Sequence, residues 1–238
     1  MSSPKVLIGS PVTSLKEYSI PQYIEGLKSL TYKNKELLVL DNSPDGRDLS
    51  KPFADAGIPY MKTPHTNSVR EMLVRDHNFL RKKAIDEGFD YWLSLEQDII
   101  PPPNVVESLL ANKKEIASGV YFNFSHEKED GNPKPDMFVT IDPLDKKFFV
   151  TRRMLFDDLW PSRLINVHVT GVGCLLIHKT VLQKLEFHFD PAISVYDDVW
   201  FCKDAQKNGF EVFLDSKVVC LHLAKFHSKE LIDKLGFS

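Results

Sequence analysis

The sequence predicts a single α/β domain with a mostly parallel central sheet and helices on both faces of that sheet. Two observations support this fold class. Along the first half of the chain, short apolar runs of strand length alternate with amphipathic segments of helix length, which is typical of repeated strand–helix–strand units. In addition, no repeat, linker or low-complexity block divides the 238 residues, so the chain is predicted to fold as one unit over 1–238.

The elements of the first half follow from apolar spacing and from turn residues. A strand at 5–9 is predicted to end where Ser10 and Pro11 interrupt it, and apolar residues then recur at helical spacing from Ile20 to Leu30. A run of three prolines at 101–103 delays the following helix. Further strands are predicted at 35–40, 58–61, 91–95 and 116–122, and further helices at 49–56, 68–87 and 105–111.

The second half of the chain is less regular. Residues 123–163 carry several prolines and a charged, glycine-containing stretch, so we expect a variable excursion there that is partly loop. Strand character returns after this excursion. Strands are predicted at 166–170, 171–177, 211–214 and 218–223, and helices at 179–185, 197–208 and 228–235.

The composition excludes several classes of protein. The net charge is −3, so we do not expect a nucleic-acid-binding protein that depends on neutralising phosphates. No apolar run approaches the roughly 18–20 residues that cross a bilayer, and the first residues do not form a secretory signal, which predicts a cytoplasmic protein without a transmembrane segment. The three cysteines lack the spacing of a disulfide framework or a zinc site, and we expect buried thiols.

Acidic residues cluster where the predicted strands end. Asp41 follows the second strand, the triplet Glu-Gln-Asp at 96–98 follows the fourth, Asp197 and Asp198 open a late helix, and His222 ends the last strand. In open α/β sheets, ligands bind outside the carboxyl ends of the strands. Two acids at positions i and i+2 on such a turn can present oxygens to a divalent cation held by a diphosphate.

Each of these residues also has a purely structural explanation, which the sequence leaves open. Asp98 is equally suited to a turn or a cap before the prolines. Asp197 and Asp198 would be favoured by the helix dipole as acids in a first turn. His222 falls on the same face of its strand as apolar residues, which is typical of a packed histidine.

The order of these motifs resembles that of glycosyltransferase family 2, whose members have the Rossmann-like GT-A fold. The resemblance extends from residue 5 to about residue 223. It begins with the first strand and its Ser10-Pro11-Val12 end, and continues with the second strand and with a polar loop and helix that carry Asn67, Arg70, Arg75 and Asn78. The short motifs are 96–98 as a variant of the DxD motif, Gly171-Val172-Gly173 as the glycine loop, Asp197-Asp198 as the Glu-Asp motif, and His222 as the C-terminal histidine.

The resemblance implies that residues 1–100 form a nucleotide-binding half. The residues carried over are Pro11, Asp41, Arg70 and Glu96 for nucleotide binding, and Asp98 and His222 for binding Mn2+ or Mg2+. The sequence departs from the family pattern at two of the motif positions. Glu96 replaces the usual first Asp of the metal motif, and Asp197 replaces the usual Glu of the later motif, which leaves the direct metal ligand and the acceptor-facing carboxylate less defined.

The resemblance also implies that residues 101–238 form the acceptor-binding and catalytic half. Asp198 would be the catalytic base, supported by Asp197, because a hydroxyl acceptor is a poor nucleophile until a carboxylate removes its proton. Gly171 and Gly173 would let the backbone approach the donor sugar, with a bend at the strand end as the alternative.

Aromatic residues of the excursion are candidates for stacking on an acceptor sugar. Trp160 is the one that we assign to the donor-sugar or acceptor site, and core packing is the alternative for the group. The other candidates are Phe148, Phe149 and Phe156.

The sequence therefore predicts a metal-dependent enzyme that transfers a sugar from a UDP- or GDP-sugar to the hydroxyl of a glycan or another acceptor. Inversion at the anomeric carbon is expected, and retention stays open. A sugar-phosphate nucleotidyltransferase is the first alternative, although residues 10–16 lack the glycine-rich basic loop that would hold a triphosphate. A catalytically degenerate module that binds a glycan or a protein is the second, because the motif at 96–98 is imperfect.

Overall fold

The computed structural model describes residues 3–123, 134–135, 137–139, 152–154 and 156–223. Its strands are β1 (Val6–Val12), β2 (Lys35–Asp41), β3 (Tyr60–Lys62), β4 (Tyr91–Leu95), β5 (Ile99–Ile100), β6 (Ile116–Val120), β7 (Phe122–Asn123), β8 (Lys134–Pro135), β9 (Met137–Val139), β10 (Arg152–Arg153), β11 (Leu164–Val167), β12 (Val169–Thr170), β13 (Cys174–His178), β14 (Val212–Val219) and β15 (Leu221–His222). Its helices are α1 (Ile20–Ser29), α2 (Ser50–Asp55), α3 (Val69–Asp86), α4 (Val105–Ala111), α5 (Lys179–Lys184) and α6 (Asp197–Lys207), with 3-10 segments at Ser14–Ser19 and Phe156–Leu159.

The central sheet has eight strands in the order β11-β14-β6-β13-β4-β1-β2-β3. Four of its seven neighbouring pairs are parallel, namely β14 with β6, β4 with β1, β1 with β2, and β2 with β3. Strand β13 runs antiparallel to both of its neighbours, and β11 runs antiparallel to β14. The predicted α/β fold with a mostly parallel, Rossmann-like sheet is confirmed.

Helices cover both faces of the sheet because neighbouring residues of each buried strand point to opposite sides. In β4, Trp92 packs into a cluster with residues of α3, α5 and α6. The next residue, Leu93, packs into a second cluster with residues of α1, α2 and α4. The two clusters form the core on either side of the sheet. Parallel pairing of β1 with β4 places their carboxyl ends side by side.

Strand β1 continues through Pro11 to Val12, beyond the predicted end at residue 9. Proline is tolerated here because its missing N–H would point away from β2. Val6 donates its backbone N–H toward the β2 side, to Asn34 O, so residue 11 faces the β4 side by the alternation of the strand. Pairing with β4 has already ended at Gly9. Strand β14 also differs from expectation, because it runs without a break from 212 to 219, where two strands were predicted.

Helix α3 buries polar groups that its apolar spacing does not reveal. Val69 and Phe79, two of the apolar residues of α3, are 50% and 41% exposed. Asp76 and His77 are instead fully buried. The face of α3 that meets the sheet is therefore partly polar, and this polarity lies beside the carboxyl ends of β1 and β4.

Several predictions made from the sequence fall outside the described residues. Phe148, Phe149 and the helix at 228–235 belong to this group, as does the side chain of Phe156. All three cysteines are buried, as predicted. Within the described ranges, no helix combines the length and the apolar character needed to cross a bilayer.

Candidate functional site

A cavity of about 460 Å³ opens at the carboxyl ends of β1 and β4. Its walls come from the end of β1 with the loop that follows, from α3, from the turn after β4, and from the first turn of α6. Pro11, Glu96, Asp98, Asp197 and Asp198 all line it. The fold thus gathers most of the acids that the sequence analysis selected into one place.

The turn after β4 uses its middle residue to fix the neighbouring loop. Gln97 is buried, and its Oε1 accepts a hydrogen bond from the Thr13 backbone N–H at 2.5 Å. Its Nε2 donates to the Lys16 carbonyl at 3.0 Å and to Ser19 Oγ at 3.3 Å. Gln97 therefore joins the 13–19 loop to the turn that carries Glu96 and Asp98.

Asp98 is a buried carboxylate with one oxygen paired and one oxygen free. Its Oδ2 lies 2.8 Å from Lys16 Nζ and 3.4 Å from His222 Nε2. Its Oδ1 has no hydrogen-bond partner among the described residues. Burial alone would raise the pKa of Asp98, but the hydrogen bond from His222 and the charge of Lys16 outweigh it and lower the pKa to about 2. The site therefore holds an ionised carboxylate with an unused, buried acceptor.

Lys16 and Glu96 complete a small charge cluster around Asp98. Burial alone would lower the pKa of Lys16, but the carboxylates of Glu96 and Asp98 outweigh it and raise that pKa. Burial raises the pKa of Glu96. The charge of Lys16 lowers this pKa, whereas the charge of Asp98 raises it further. One ammonium group is thus shared electrostatically between two carboxylates.

His222 reaches Asp98 through strand pairing. Strand β15 runs antiparallel to β5, with His222 opposite Ile99, the residue that follows Asp98. The backbone N–H of Leu223 donates to the Asp98 carbonyl at 2.7 Å. His222 Nδ1 lies 3.0 Å from the Phe122 carbonyl oxygen, so Nδ1 carries a proton and Nε2 faces Asp98. The hydrogen bond to Asp98 places a proton on Nε2 as well, and Nε2 would bind a metal ion only after losing that proton.

A histidine that sequence reasoning missed supports the first turn of α6. His77 Nδ1 lies 2.6 Å from Asp197 Oδ2, and both side chains are buried. The ring packs against Trp92 and Phe187, with centroid distances of 5.9 and 5.1 Å. His77 also lines the cavity, and its Nε2 is buried without a hydrogen-bond partner among the described residues. Its spacing on α3, three residues before the buried Leu80, was a signal for burial of His77, but no signal indicated its pairing with Asp197.

Burial lowers the pKa of His77, but the charge and hydrogen bond of Asp197 outweigh it and raise that pKa above its ordinary value. Asp197 is thereby held by a buried ion pair and supports the start of α6. This placement is consistent with a supporting role for Asp197. Of the two neighbouring acids, Asp198 is the less constrained.

Asp198 has the protonation behaviour expected of a general base. Burial raises its pKa to about 7, and the neighbouring charge of Asp197 acts in the same direction. Its Oδ1 accepts a hydrogen bond from the Val199 backbone N–H at 2.7 Å. A carboxylate with a pKa near the working pH can accept a proton efficiently.

Asp41 lies beside the cavity, but internal hydrogen bonds occupy its carboxylate. Oδ1 accepts from the backbone N–H of Ser43 at 2.8 Å and also from the Ser43 hydroxyl. Oδ2 accepts from Lys62 Nζ at 3.1 Å and from Tyr60 OH at 3.3 Å. The residue of this strand end that lines the cavity is Asn42, whose polar side chain sequence reasoning passed over.

Arg70 points toward the loop before α6. Its Nη1 donates to the Ile193 carbonyl at 2.7 Å and to the Asp190 carbonyl at 3.4 Å. The guanidinium also lies over the Phe189 ring, 4.9 Å from the centroid. In this arrangement Arg70 organises the approach to α6, and it is not among the residues that line the cavity.

The glycines at 171 and 173 fit against the ring of Tyr121. A Cβ at Gly173 would lie 2.8 Å from Tyr121 Cζ, and one at Gly171 would overlap the Tyr121 hydroxyl. The Gly173 backbone N–H also donates to that hydroxyl, at 3.3 Å. Close approach by a protein side chain therefore accounts for both glycines.

Two aromatic side chains differ in their relation to the cavity. Trp160 is 68% exposed in the segment before edge strand β11, and it does not line the cavity. Tyr196, which immediately precedes α6, does line it and is 51% exposed. Leu15 and Val69 also line the cavity and are 72% and 50% exposed. The mouth of the cavity is thus apolar, whereas its floor is acidic.

The side chains around Asp98 fit a divalent cation whose coordination is completed by other oxygens. Among the described residues, no group of three or more His, Cys, Asp or Glu side chains is placed to hold a metal ion. Asp98, with its unpaired buried oxygen, and His222, with Nε2 facing that carboxylate, offer two ligands. A hard carboxylate and an imidazole suit Mn2+, or Mg2+ with water and substrate phosphates.

Comparisons with known proteins add little to this description. No protein-family model matches the sequence, and no curated protein matches it. Among solved structures, the chain is similar to A197 from STIV, with 14% sequence identity and a TM-score of 0.46, over 93% of this chain and 86% of that one. The topology of the sheet therefore defines the fold, and the cavity is the feature that bears on function.

Proposed function

We propose that the protein transfers a sugar from a nucleotide-diphospho-sugar to a hydroxyl acceptor. The observation that supports this proposal is the pairing, in one cavity, of an ionised carboxylate with a free buried oxygen and a second carboxylate whose pKa lies near 7. These are Asp98 and Asp198. The resemblance of the motif order to glycosyltransferase family 2, with its GT-A fold, assigns the same two roles.

Asp98 and His222 would hold Mn2+ or Mg2+, and a cation bound there would neutralise the negative charge of a leaving diphosphate. The protein's own part is to keep these ligands in place. Pairing of β15 with β5 fixes His222, and the Phe122 carbonyl orients its ring. Gln97 ties the turn to the 13–19 loop, so the carboxylate of Asp98 is held on a rigid element.

Asp198 would remove the proton from the acceptor hydroxyl as the hydroxyl oxygen attacks the anomeric carbon. The bond from that carbon to the diphosphate oxygen breaks in the same step, and the proton remains on Asp198. His77 keeps Asp197 paired, and the charge on Asp197 helps to raise the pKa of Asp198. Attack from the side opposite the leaving group would give inversion at the anomeric carbon. Identifying the product anomer that forms first distinguishes inversion from retention.

The acceptor side of the cavity would be its apolar mouth. Tyr196 stands directly before Asp197 and Asp198, where an aromatic ring can pack against the apolar face of a sugar. Leu15 and Val69 extend this surface. A glycan or another hydroxyl compound with an apolar face fits this chemistry, and Tyr196 replaces Trp160 as the aromatic contact that we favour.

The proposal is tested by incubating the protein with UDP-, GDP-, CMP- and dTDP-sugars, Mn2+ and a panel of hydroxyl acceptors. The expected result is release of a nucleoside diphosphate from one donor, with loss of about 100-fold or more in the Asp198→Asn variant. Asp55→Asn, on the exposed surface of α2, is the matched control and should keep full activity.

Other outcomes would overturn the proposal or the role of one residue in it. Release of pyrophosphate from a nucleoside triphosphate and a sugar phosphate would assign a nucleotidyltransferase. Glycan binding without any nucleotide binding would assign a degenerate binding module. Full activity of Asp198→Asn would show that Asp198 is not the base.

A further inference from the structure

Lys16 contacts the carboxylate on which the proposed metal site depends. Its Nζ lies 2.8 Å from Asp98 Oδ2, and this is the only hydrogen-bond or ion-pair contact of Nζ among the described residues. The side chain is 43% exposed, whereas the Asp98 side chain is only 4% exposed. The ammonium therefore enters the acidic floor from the cavity side and can leave without disturbing the core.

Hydrogen bonds to its backbone hold Lys16 in this position. Its backbone carbonyl accepts hydrogen bonds from Gln97 Nε2 at 3.0 Å and from Ser19 Oγ at 2.8 Å. Its φ and ψ of −112° and 30° interrupt the 3-10 segment Ser14–Ser19. The same turn that carries Asp98 thus anchors the backbone of the lysine that neutralises Asp98.

We propose that Lys16 is the resident counter-ion of Asp98, and that it exchanges with a divalent cation. A cation on Asp98 and an ammonium 2.8 Å from the same carboxylate repel each other strongly in a partly buried site. Binding of the cation therefore displaces Lys16 Nζ. The freed ammonium remains at the cavity, where it pairs with the phosphates of the nucleotide. This second step rests on the proposed function.

If Lys16 exchanges with a cation, one substitution of Lys16 should have opposite effects on the affinities for Mn2+ and for UDP. In Lys16→Met, nothing competes for Asp98, so Mn2+ alone should bind about 10- to 100-fold more tightly than to the wild-type protein. With Mn2+ saturating, UDP should bind about 10-fold more weakly, because one phosphate contact is lost. Lys16→Arg keeps the charge and should resemble the wild-type protein in its affinity for Mn2+.

The experiment measures Mn2+ binding to the ligand-free protein by electron paramagnetic resonance and UDP binding by calorimetry. Lys179→Met is the matched control, because Lys179 pairs with Asp90 at 2.7 Å and its side chain is 45% exposed. This control should bind Mn2+ and UDP like the wild-type protein.

Equal or weaker Mn2+ binding by Lys16→Met would overturn the counter-ion role, including the case in which neither protein binds Mn2+. Tighter Mn2+ binding with unchanged UDP binding would support the counter-ion role and overturn the phosphate contact. If no variant binds any nucleotide in the presence of Mn2+, the proposed function and the phosphate contact both fail, while the Mn2+ comparison still decides the role of Lys16 at Asp98.

Discussion

The pair of His77 and Asp197 gives the most direct test of how the site is held together. Replacing His77 by alanine removes a ring that packs against Trp92 and Phe187 and leaves Asp197 as a carboxylate only 2% exposed. Breaking a buried ion pair by removing one partner costs about 3–5 kcal/mol. We therefore expect His77→Ala to lower the free energy of unfolding by about 3–5 kcal/mol at neutral pH.

His77→Asn is the matched variant, because its amide can still donate to Asp197 near the position of Nδ1. Its expected cost is smaller, about 1–2 kcal/mol. Both variants are measured by urea unfolding with the wild-type protein alongside. A loss below about 1 kcal/mol for His77→Ala would refute the reasoning, because it would mean that the buried pair contributes little.

The same pair predicts a pH dependence with a definite sign. Burial lowers the pKa of His77, but Asp197 outweighs it, with Glu96 and Asp76 acting in the same direction, so the pKa lies above the ordinary value of 6.5. A raised histidine pKa contributes stability that is fully present below the unfolded-state value and is lost as pH rises through the folded-state value. The stability difference between wild type and His77→Asn should therefore shrink as pH rises above the ordinary value of 6.5. A constant difference would contradict the raised pKa.

Three further predictions concern single residues of the site. If Asp198 is the base, turnover should rise with pH through about 7, since burial raises its pKa to about 7 and only the ionised form accepts a proton; a flat profile would contradict this. Gly173→Ala should lower the free energy of unfolding by about 1–3 kcal/mol through contact with Tyr121, and a double-mutant cycle by urea unfolding should show a smaller cost of Gly173→Ala in a Tyr121→Ala background. Gln97→Ala should cost about 1–3 kcal/mol and speed amide hydrogen exchange at 13–19, whereas unchanged exchange would contradict its anchoring role.

The sequence predicted regular elements well where local signals agree. The run of prolines and Asn104 define the start of α4, and β4 matches its apolar run from Tyr91 to Leu95. The end of β1 was missed, because whether proline interrupts a strand depends on which side its nitrogen faces. The sequence predicted two strands where β14 is continuous, because the polar pair Asp215 and Ser216 interrupts the apolar pattern. Their side chains form hydrogen bonds with groups elsewhere in the fold.

The site was predictable in its location and less so in its partners. Acids at strand ends pointed to the edge of the sheet where the cavity opens, but Asp41 and Asp98 look alike in sequence. They differ in the structure because Lys62 and Ser43 occupy the carboxylate of Asp41, whereas Asp98 keeps a free oxygen. The part played by His77 depends on packing between α3 and α6, which no local pattern encodes.

In the proposed function, Asp98 takes part in cation-dependent binding of a nucleotide sugar. Thermal unfolding tests this role in the wild-type protein and in Asp98→Ala, with UDP-, GDP-, CMP- and dTDP-sugars, each with and without Mn2+. Ligands that bind the native state raise the melting temperature. We expect a rise for one nucleotide that requires Mn2+ and is absent in Asp98→Ala. No rise for any nucleotide, or the same rise in both proteins, would contradict this role.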